Sequence, residues 1–206
     1  MSDLLKVKVG GSDYLCKWEE PNTVEIGGKT YKTVKIGSQI WLAENLDLIW
    51  DGLTIGGSAT TSQQARYYNN DEATYGYLAR KCNLLYNGAA VDYLNSNRAT
   101  LIPGWHVPSE AEWNTLISVG TSTQLKAANV SWAFSWNGTD DFGFNLLPCG
   151  RSGSTWYGIG TAAYCITTSK NGARNWAKVF TTNASVSRDD LSGNQGGCIR
   201  LVKDAT

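Results

Sequence analysis

The first third of the chain is written in alternation. In KVKVGGSDYLCKW, Val7 and Val9 fall on one face and Lys6 and Lys8 on the other, the pattern of a strand with one dry and one wet side. TVEIGGKTYK and TVKIGSQIWL repeat the theme, with β-branched residues alternating up to a glycine turn and a second run returning from it. Alternation broken in this way predicts successive hairpins. The first, ending at Pro21, is either a small β appendage or two more strands of the main sheet. The division carried forward is an N-terminal hairpin at 1–22 and a main domain at 23–206.

The period then changes. WDGLTIGGSATTSQQARYYNN, within residues 46–70, is rich in small polar residues and holds no sustained period, which predicts a long surface loop. In NLLYNGAAVDYLN, Ala89, Ala90, Tyr93 and Leu94 are spaced for a short helix beginning near Asn87. In GWHVPSEAEWNTL, Pro108 ends an extended lead-in, Ser109 and Glu112 form a capping box, and Trp113, Leu116 and Ile117 recur at helical spacing. A second helix therefore starts at Ser109 or Glu110. The remainder is a meander of short strand-like runs parted by glycine and asparagine turns. Helices early and strands late predict an α+β domain with two short helices and a mostly antiparallel meander.

Composition narrows the partners. Lysine plus arginine and aspartate plus glutamate number 18 each, so no overall field draws the chain to nucleic acid or an anionic membrane. No run reaches transmembrane length, and MSDLLKVKVGGSD lacks the basic start and apolar core of a secretory signal. Cytoplasmic synthesis without membrane insertion is the expectation. Nine tryptophans, ten tyrosines and 22 glycines against one methionine fit a β-rich fold with many turns. Five scattered cysteines read as free thiols used as small hydrophobes.

Chemistry has few footholds. His106 is the only histidine, no partner stands at motif spacing, and a structural hydrogen bond to its ring is the expected role. Asp140-Asp141 and Asp189-Asp190 could ligate calcium or act as acid and base, but adjacent aspartates are read as turns. There is no nucleophile elbow, phosphate loop or zinc motif. No catalytic residue, metal or cofactor is expected. Residues 151–195, by contrast, mix serine, threonine, asparagine and glycine with Trp156, Tyr157, Tyr164, Trp176 and Phe180, the composition of a paratope. Tyr157, Tyr164, Arg174 and Arg188 are the expected exposed anchors.

The ordered set YKTVKIGSQIWLAENL, LLYNGAAVDYLN, GWHVPSEAEWNTL, FGFNLLPCGR and GGCIRLVKD resembles the Fibrobacter succinogenes major paralogous domain, over about residues 23–204. The resemblance implies a C-type lectin-like fold, shared with formylglycine-generating-enzyme-like domains and with variable proteins of diversity-generating retroelements. It makes Gly104 to Leu116 scaffold, and places Trp176 in the core. Those retroelements rewrite adenines near the C-terminus, turning asparagine codons into Tyr, Cys, Ile, Ser, Arg, Asp, Phe or Thr. Tyr164, Cys165, Ile166, Ser169, Asn171, Arg174, Asn175, Phe180, Asn183, Ser185, Ser187, Arg188, Asp189 and Asp190 fit that set, and with Tyr157 they form the candidate ligand-binding residues. One departure is AYCITTS, which lacks the tryptophan the family carries near Cys165. The calcium loops of sugar-binding C-type lectins are missing too, since Glu-Pro-Asn occurs only at Glu19 to Asn22, before the main domain.

Two functions follow as expectations. The first is a non-enzymatic, retroelement-diversified receptor-binding protein of a phage or prophage tail, recognising a host-surface protein or glycan, with the hairpin as attachment or trimerisation element. The second is a formylglycine-generating-type enzyme using Cys165 and Cys198, or a carbohydrate-binding accessory module. Three structural expectations accompany them. Trp41, Trp105 and Trp113 are buried; the strand around Ile199 to Val202 pairs with YKTVKIG; and the 157–190 set forms one solvent-facing patch.

Overall fold

The computed structural model describes residues 4–9, 12–17, 22–57, 62–67, 82–131 and 135–204, with side chains described from residue 22 onward. β1 (Leu4–Val9) and β2 (Ser12–Lys17) pair antiparallel from Leu4 opposite Lys17 to Val9 opposite Ser12, in a two-stranded sheet of their own. The next two hairpins share a strand: β3 (Thr23–Ile26) pairs with β4 (Lys29–Ile36), and β4 with β5 (Gln39–Leu42). Gly27 and Gly28 turn the first of these at φ 58° and 77°, the left-handed conformation that two-residue hairpin loops demand.

Beyond β5 the expected surface loop is a correction. Leu46, Leu48, Trp50 and Leu53 are buried. β6 (Thr54–Ile55) then runs parallel to β7 (Gln64–Arg66), all three residues of which are buried. The buried segment is held by side chains in place of a ladder. The Asp47 amide donates to the Tyr31 hydroxyl at 3.1 Å, the Leu48 amide donates to the Tyr86 hydroxyl at 2.8 Å, and that hydroxyl donates to the Leu48 carbonyl at 2.9 Å. Backbone polar groups satisfied by tyrosine hydroxyls need no strand period, so none is written in the sequence.

β8 (Leu85–Asn87) leads directly into α1 (Gly88–Ser96), whose cap is the Asn87 side chain accepting from the Ala90 amide at 3.0 Å. Its inward residues are Ala90, Val91 and Leu94, while Tyr93 is exposed at its edge and stacks on Trp50. A single turn, α2 (Arg98–Leu101), and β9 (Trp105–His106) precede α3 (Glu110–Val119). The capping box of Ser109 and Glu112 is formed in full, and a second one, Thr121 with Gln124, starts the short unanticipated α4 (Ser122–Leu125).

The second half supplies β10 (Cys149–Arg151), β11 (Tyr157–Ile159), β12 (Ala162–Asn171), β13 (Arg174–Thr181), β14 (Ser187–Leu191), β15 (Gly196–Gly197) and β16 (Val202–Lys203). One sheet has the order β11-β10-β12-β13-β14, a second β15-β8-β7-β6 and a third β3-β4-β5-β16-β9. The molecule is thus α+β and mostly β. No helix among the described residues is long and apolar enough to cross a membrane.

β16 lies between β5 and β9, with Val202 opposite both Trp41 and His106. Leu42 and Leu46 donate to the carbonyls of Leu201 and Ile199, each at 2.9 Å. The closing strand therefore pairs with QIWL, one strand over from the expected YKTVKIG. The reason is that β4 already has a neighbour on each side, β3 and β5, so the closing strand takes the open edge of β5. Trp41, Trp105 and Trp113 are buried as expected. Trp41 and Trp113 meet at 4.9 Å between ring centroids, with Phe144 edge-on to both and Phe180 at 5.8 Å from Trp113.

Candidate functional site

Strand register decides which candidates reach solvent. Along β12, β13 and β14, one face carries the rows Tyr164–Val179–Ser187 and Ile166–Ala177–Asp189; the other carries Cys165–Lys178–Arg188 and the pair Trp176–Asp190. Both faces of early β12 are covered, so Cys165, Ile166 and Phe180 lie in the core, Asn175 is buried and Tyr164 is only 7% exposed. These five are corrections to the expected solvent-facing set. Their polar or aromatic character serves the interior. Asn175 donates to the Thr167 carbonyl at 2.8 Å and accepts from Lys170 at 2.9 Å, bridging the irregularity between Ile166 and Lys170. Ser169, half-buried, accepts from the Glu110 amide at 2.9 Å and fixes the start of α3. The exposed members are Tyr157, Asn171, Arg174, Asn183, Ser185, Ser187, Arg188 and Asp189, with Asp190 half-buried.

The exposed members divide between the two faces. On the first, Tyr157 is 58% exposed and stands T-shaped to Tyr164 at 6.3 Å, with the Arg151 guanidinium 5.6 and 5.7 Å from their ring centroids. Burial pushes the Tyr164 hydroxyl up despite Arg151 beside it, so it is a neutral hydrogen-bonding group. Gly158, at φ 81°, lets the backbone pass this pair, since a Cβ there would meet Ala162 at 3.1 Å and the Tyr164 ring at 3.5 Å. On the second face, Asp190 takes Arg174 at 3.1 Å and Asn171 at 2.9 Å. Arg188 lies over the Trp176 ring at 4.3 Å and reaches Glu110 at 3.3 Å, and Lys178 reaches the same carboxylate at 2.9 Å. The Lys178 hydrogen bond holds Glu110 below the usual carboxylate range. Trp176 is half-buried beneath a guanidinium, not in the core as expected. β14, the outer strand, contributes to both faces, so the 157–190 set is two patches and not one. Sequence reasoning missed Arg151, Lys178 and Glu110; counting every second residue across paired strands would have found the middle one.

Other chemistry is accounted for by structure. His106 Nδ1 lies 2.6 Å from Asp204 and Nε2 2.6 Å from Glu112, which leaves no ring nitrogen open to a substrate. The hydrogen bond to Glu112 is the main cause that raises the His106 pKa. Although burial pushes Glu112 up, hydrogen bonds from His106 and from the Ser109 amide and hydroxyl bring it down to about 2. Asp140 sits in a turn and accepts from the Asn145 amide at 2.6 Å, as an adjacent aspartate pair suggests. Asp189-Asp190 does not; it is part of β14. Cys165 and Cys198 do come together, with sulfurs 3.6 Å apart, but both are fully buried, and burial pushes the Cys165 thiol up. Among the described residues no group of three or more histidine, cysteine or acidic side chains is placed to hold a metal ion.

These features define an α+β domain whose C-terminal strands present polar and aromatic side chains on a buried framework. The sequence matches the Fibrobacter succinogenes major domain over residues 34–203, and the chain belongs to that family. Comparison with curated proteins and with solved structures gave no match.

Proposed function

We propose that the protein is a non-enzymatic ligand-binding protein of C-type lectin-like fold, diversified by a retroelement and carried on a phage or prophage tail to recognise a host-surface protein or glycan. The observation that carries the reading is the contrast within β11 to β14. Inner positions are sealed, while the outward ones are tyrosine, arginine, lysine, asparagine, serine and aspartate. Such a layer can change its outward residues without touching its packing, as a rigid platform for adaptable contacts does. Tyr157 backed by Arg151 and Tyr164 is the first anchor, and Arg174 with Arg188 the second. The hairpin of β1 and β2 is the attachment or trimerisation element.

The test is adhesion of the purified chain to candidate host cells, with Tyr157→Ala, Arg174→Ala and Arg188→Ala combined. Loss of about tenfold or more in affinity is expected from removing the anchors; undiminished adhesion would defeat the reading. The flanking DNA should also hold a reverse transcriptase gene and a template repeat of the 157–190 coding segment. A formylglycine-generating-type enzyme has in its favour the 3.6 Å approach of Cys165 and Cys198 and a Cys198 thiol that the Cys165 hydrogen bond and Arg200 hold below its ordinary value against the pull of burial. Turnover of a thiol-containing peptide, lost in Cys198→Ser, would establish that alternative.

A further inference from the structure

A cavity of about 650 Å3 opens beside residues 43–45 and the 140–147 segment, away from every side chain of the two patches above. Its size falls within the roughly 300–1,000 Å3 of small-molecule sites. Arg200 is part of its lining and is 1% exposed. Nε donates to Asn45 Oδ1 at 2.7 Å, Nη1 to the carbonyls of Leu42 at 3.2 Å and Phe144 at 2.6 Å, and Nη2 to the carbonyl of Asn145 at 2.8 Å. A guanidinium has five N–H groups, so one on Nη2 remains. All four acceptors are neutral, and among the described residues no carboxylate stands within ion-pair distance of Arg200. The side chain is well held, with its guanidinium 4.8 Å from the Phe144 ring and Asp140 and Glu44 acting on it only from beyond contact distance, so no anion touches this buried cation.

The rest of the lining supplies what an acidic ligand would need. Lys32 is exposed and makes no ion pair among the described residues, whereas Lys29 beside it is taken by Asp47 at 3.0 Å. Glu44, Asp140 and Asn83 add oxygen acceptors. One oxygen of Asp140 is used by the Asn145 amide, and the Asn83 amide nitrogen is used by the Asn45 carbonyl, which leaves the second Asp140 oxygen and Asn83 Oδ1 without a partner among the described residues. The backbone is also unusual here. Asn83, Asp140 and Asn145 adopt φ of 59°, 53° and 53°, and they are three of the five described non-glycine residues with positive φ. Left-handed residues of this kind gather at ligand clamps, where surrounding contacts hold them in place.

We propose that this cavity binds a hydroxylated carboxylate of the size of a sugar acid, with its carboxylate on Arg200 Nη2 and Lys32 and its hydroxyls on Glu44, Asp140 and Asn83. Each half of the lining excludes a simpler ligand. A bare anion such as phosphate meets the two carboxylates unfavourably, and a neutral sugar leaves Arg200 without a contacting anion.

Calorimetric titration of the full chain with D-glucuronate, its methyl glycoside, glucose and inorganic phosphate tests this, in the natural chain and in Lys32→Glu, a surface change that keeps the fold and is checked by an unchanged melting curve. Glucuronate should bind, glucose should not, and Lys32→Glu should weaken binding by about tenfold or more. Equal binding of the methyl glycoside identifies the natural ligand as a sugar acid at a chain end; binding of the free acid alone identifies a free metabolite. The proposal falls if glucuronate gives no heat at concentrations on the order of 10 mM, if glucose or phosphate binds as well as glucuronate, or if Lys32→Glu leaves its affinity unchanged. Because no residue of the patches is involved, either result leaves the adhesion test independent.

Discussion

At the scale of single residues, the interior was easier to read than the surface. Trp41, Trp105 and Trp113 were identifiable as core from their place in patterned segments, because a large ring gains most by leaving water. Trp113→Ala should cost about 3–5 kcal/mol in urea unfolding. Trp113→Phe should cost much less, under about 2 kcal/mol, since it also removes an indole N–H that is buried without a partner. Equal losses in the two variants would refute this. His106 gives a pH prediction. Its folded pKa is raised above the ordinary 6.5, so its stabilisation is complete below that value and is lost as pH rises through the raised one. Glu112 is lowered from 4.5 to about 2, so its share is complete above 4.5 and is lost as pH falls toward 2. The clamp is therefore fully effective between about pH 4.5 and 6.5. His106→Gln should remove the fall in melting temperature that the natural chain shows above that window; parallel curves would overturn the assignment. Tyr164 and Asn175 were misplaced by composition, because a polar or aromatic residue looks the same in sequence whether it meets water or satisfies a buried bulge.

At the scale of elements, whatever obeys a local rule was legible. Both longer helices announce themselves by a cap and a period, and the hairpins by alternation up to a glycine turn. The segment from Leu46 to Leu53 obeys no local rule, since its burial depends on hydroxyls of Tyr31 and Tyr86, 16 and 38 residues away in sequence. The partner of β16 was misjudged by one strand for a related reason: which edge is free is a property of the whole sheet. A chain ending at Cys198 loses the strand between β5 and β9 together with the carbonyls that receive Leu42 and Leu46. It should show no cooperative urea transition; a sharp transition of natural midpoint would refute the role assigned to β16.

At the scale of the molecule, the fold class followed from the order of elements, and the family from its ordered motifs. The division of the candidate residues into two patches did not, because it needs the pairing of β12, β13 and β14 residue by residue. Exposed side chains contribute little to folding, so Tyr157→Ala, Arg174→Ala and Arg188→Ala together should leave the melting temperature within a few degrees, each change costing about 0.5 kcal/mol or less. A larger drop would make these residues structural. Introduced patch by patch, the same substitutions tell whether one ligand spans the outer strand: losses that multiply in the combined variant mark a shared ligand contacting both faces.

The placement of β16 also sets an order of events during synthesis. Domains ordinarily begin to fold from the N-terminal side as the chain emerges, but here the sheet begun by β4 and β5 waits for a strand made some 160 residues later. Every substitution between Tyr157 and Asp190 has by then been translated. A frameshift or stop codon introduced anywhere in that span removes the strand that closes the sheet, so such a product cannot display an altered surface at all. Topology alone thus lets changes of side chain through to the folded surface and withholds the products of a broken reading frame.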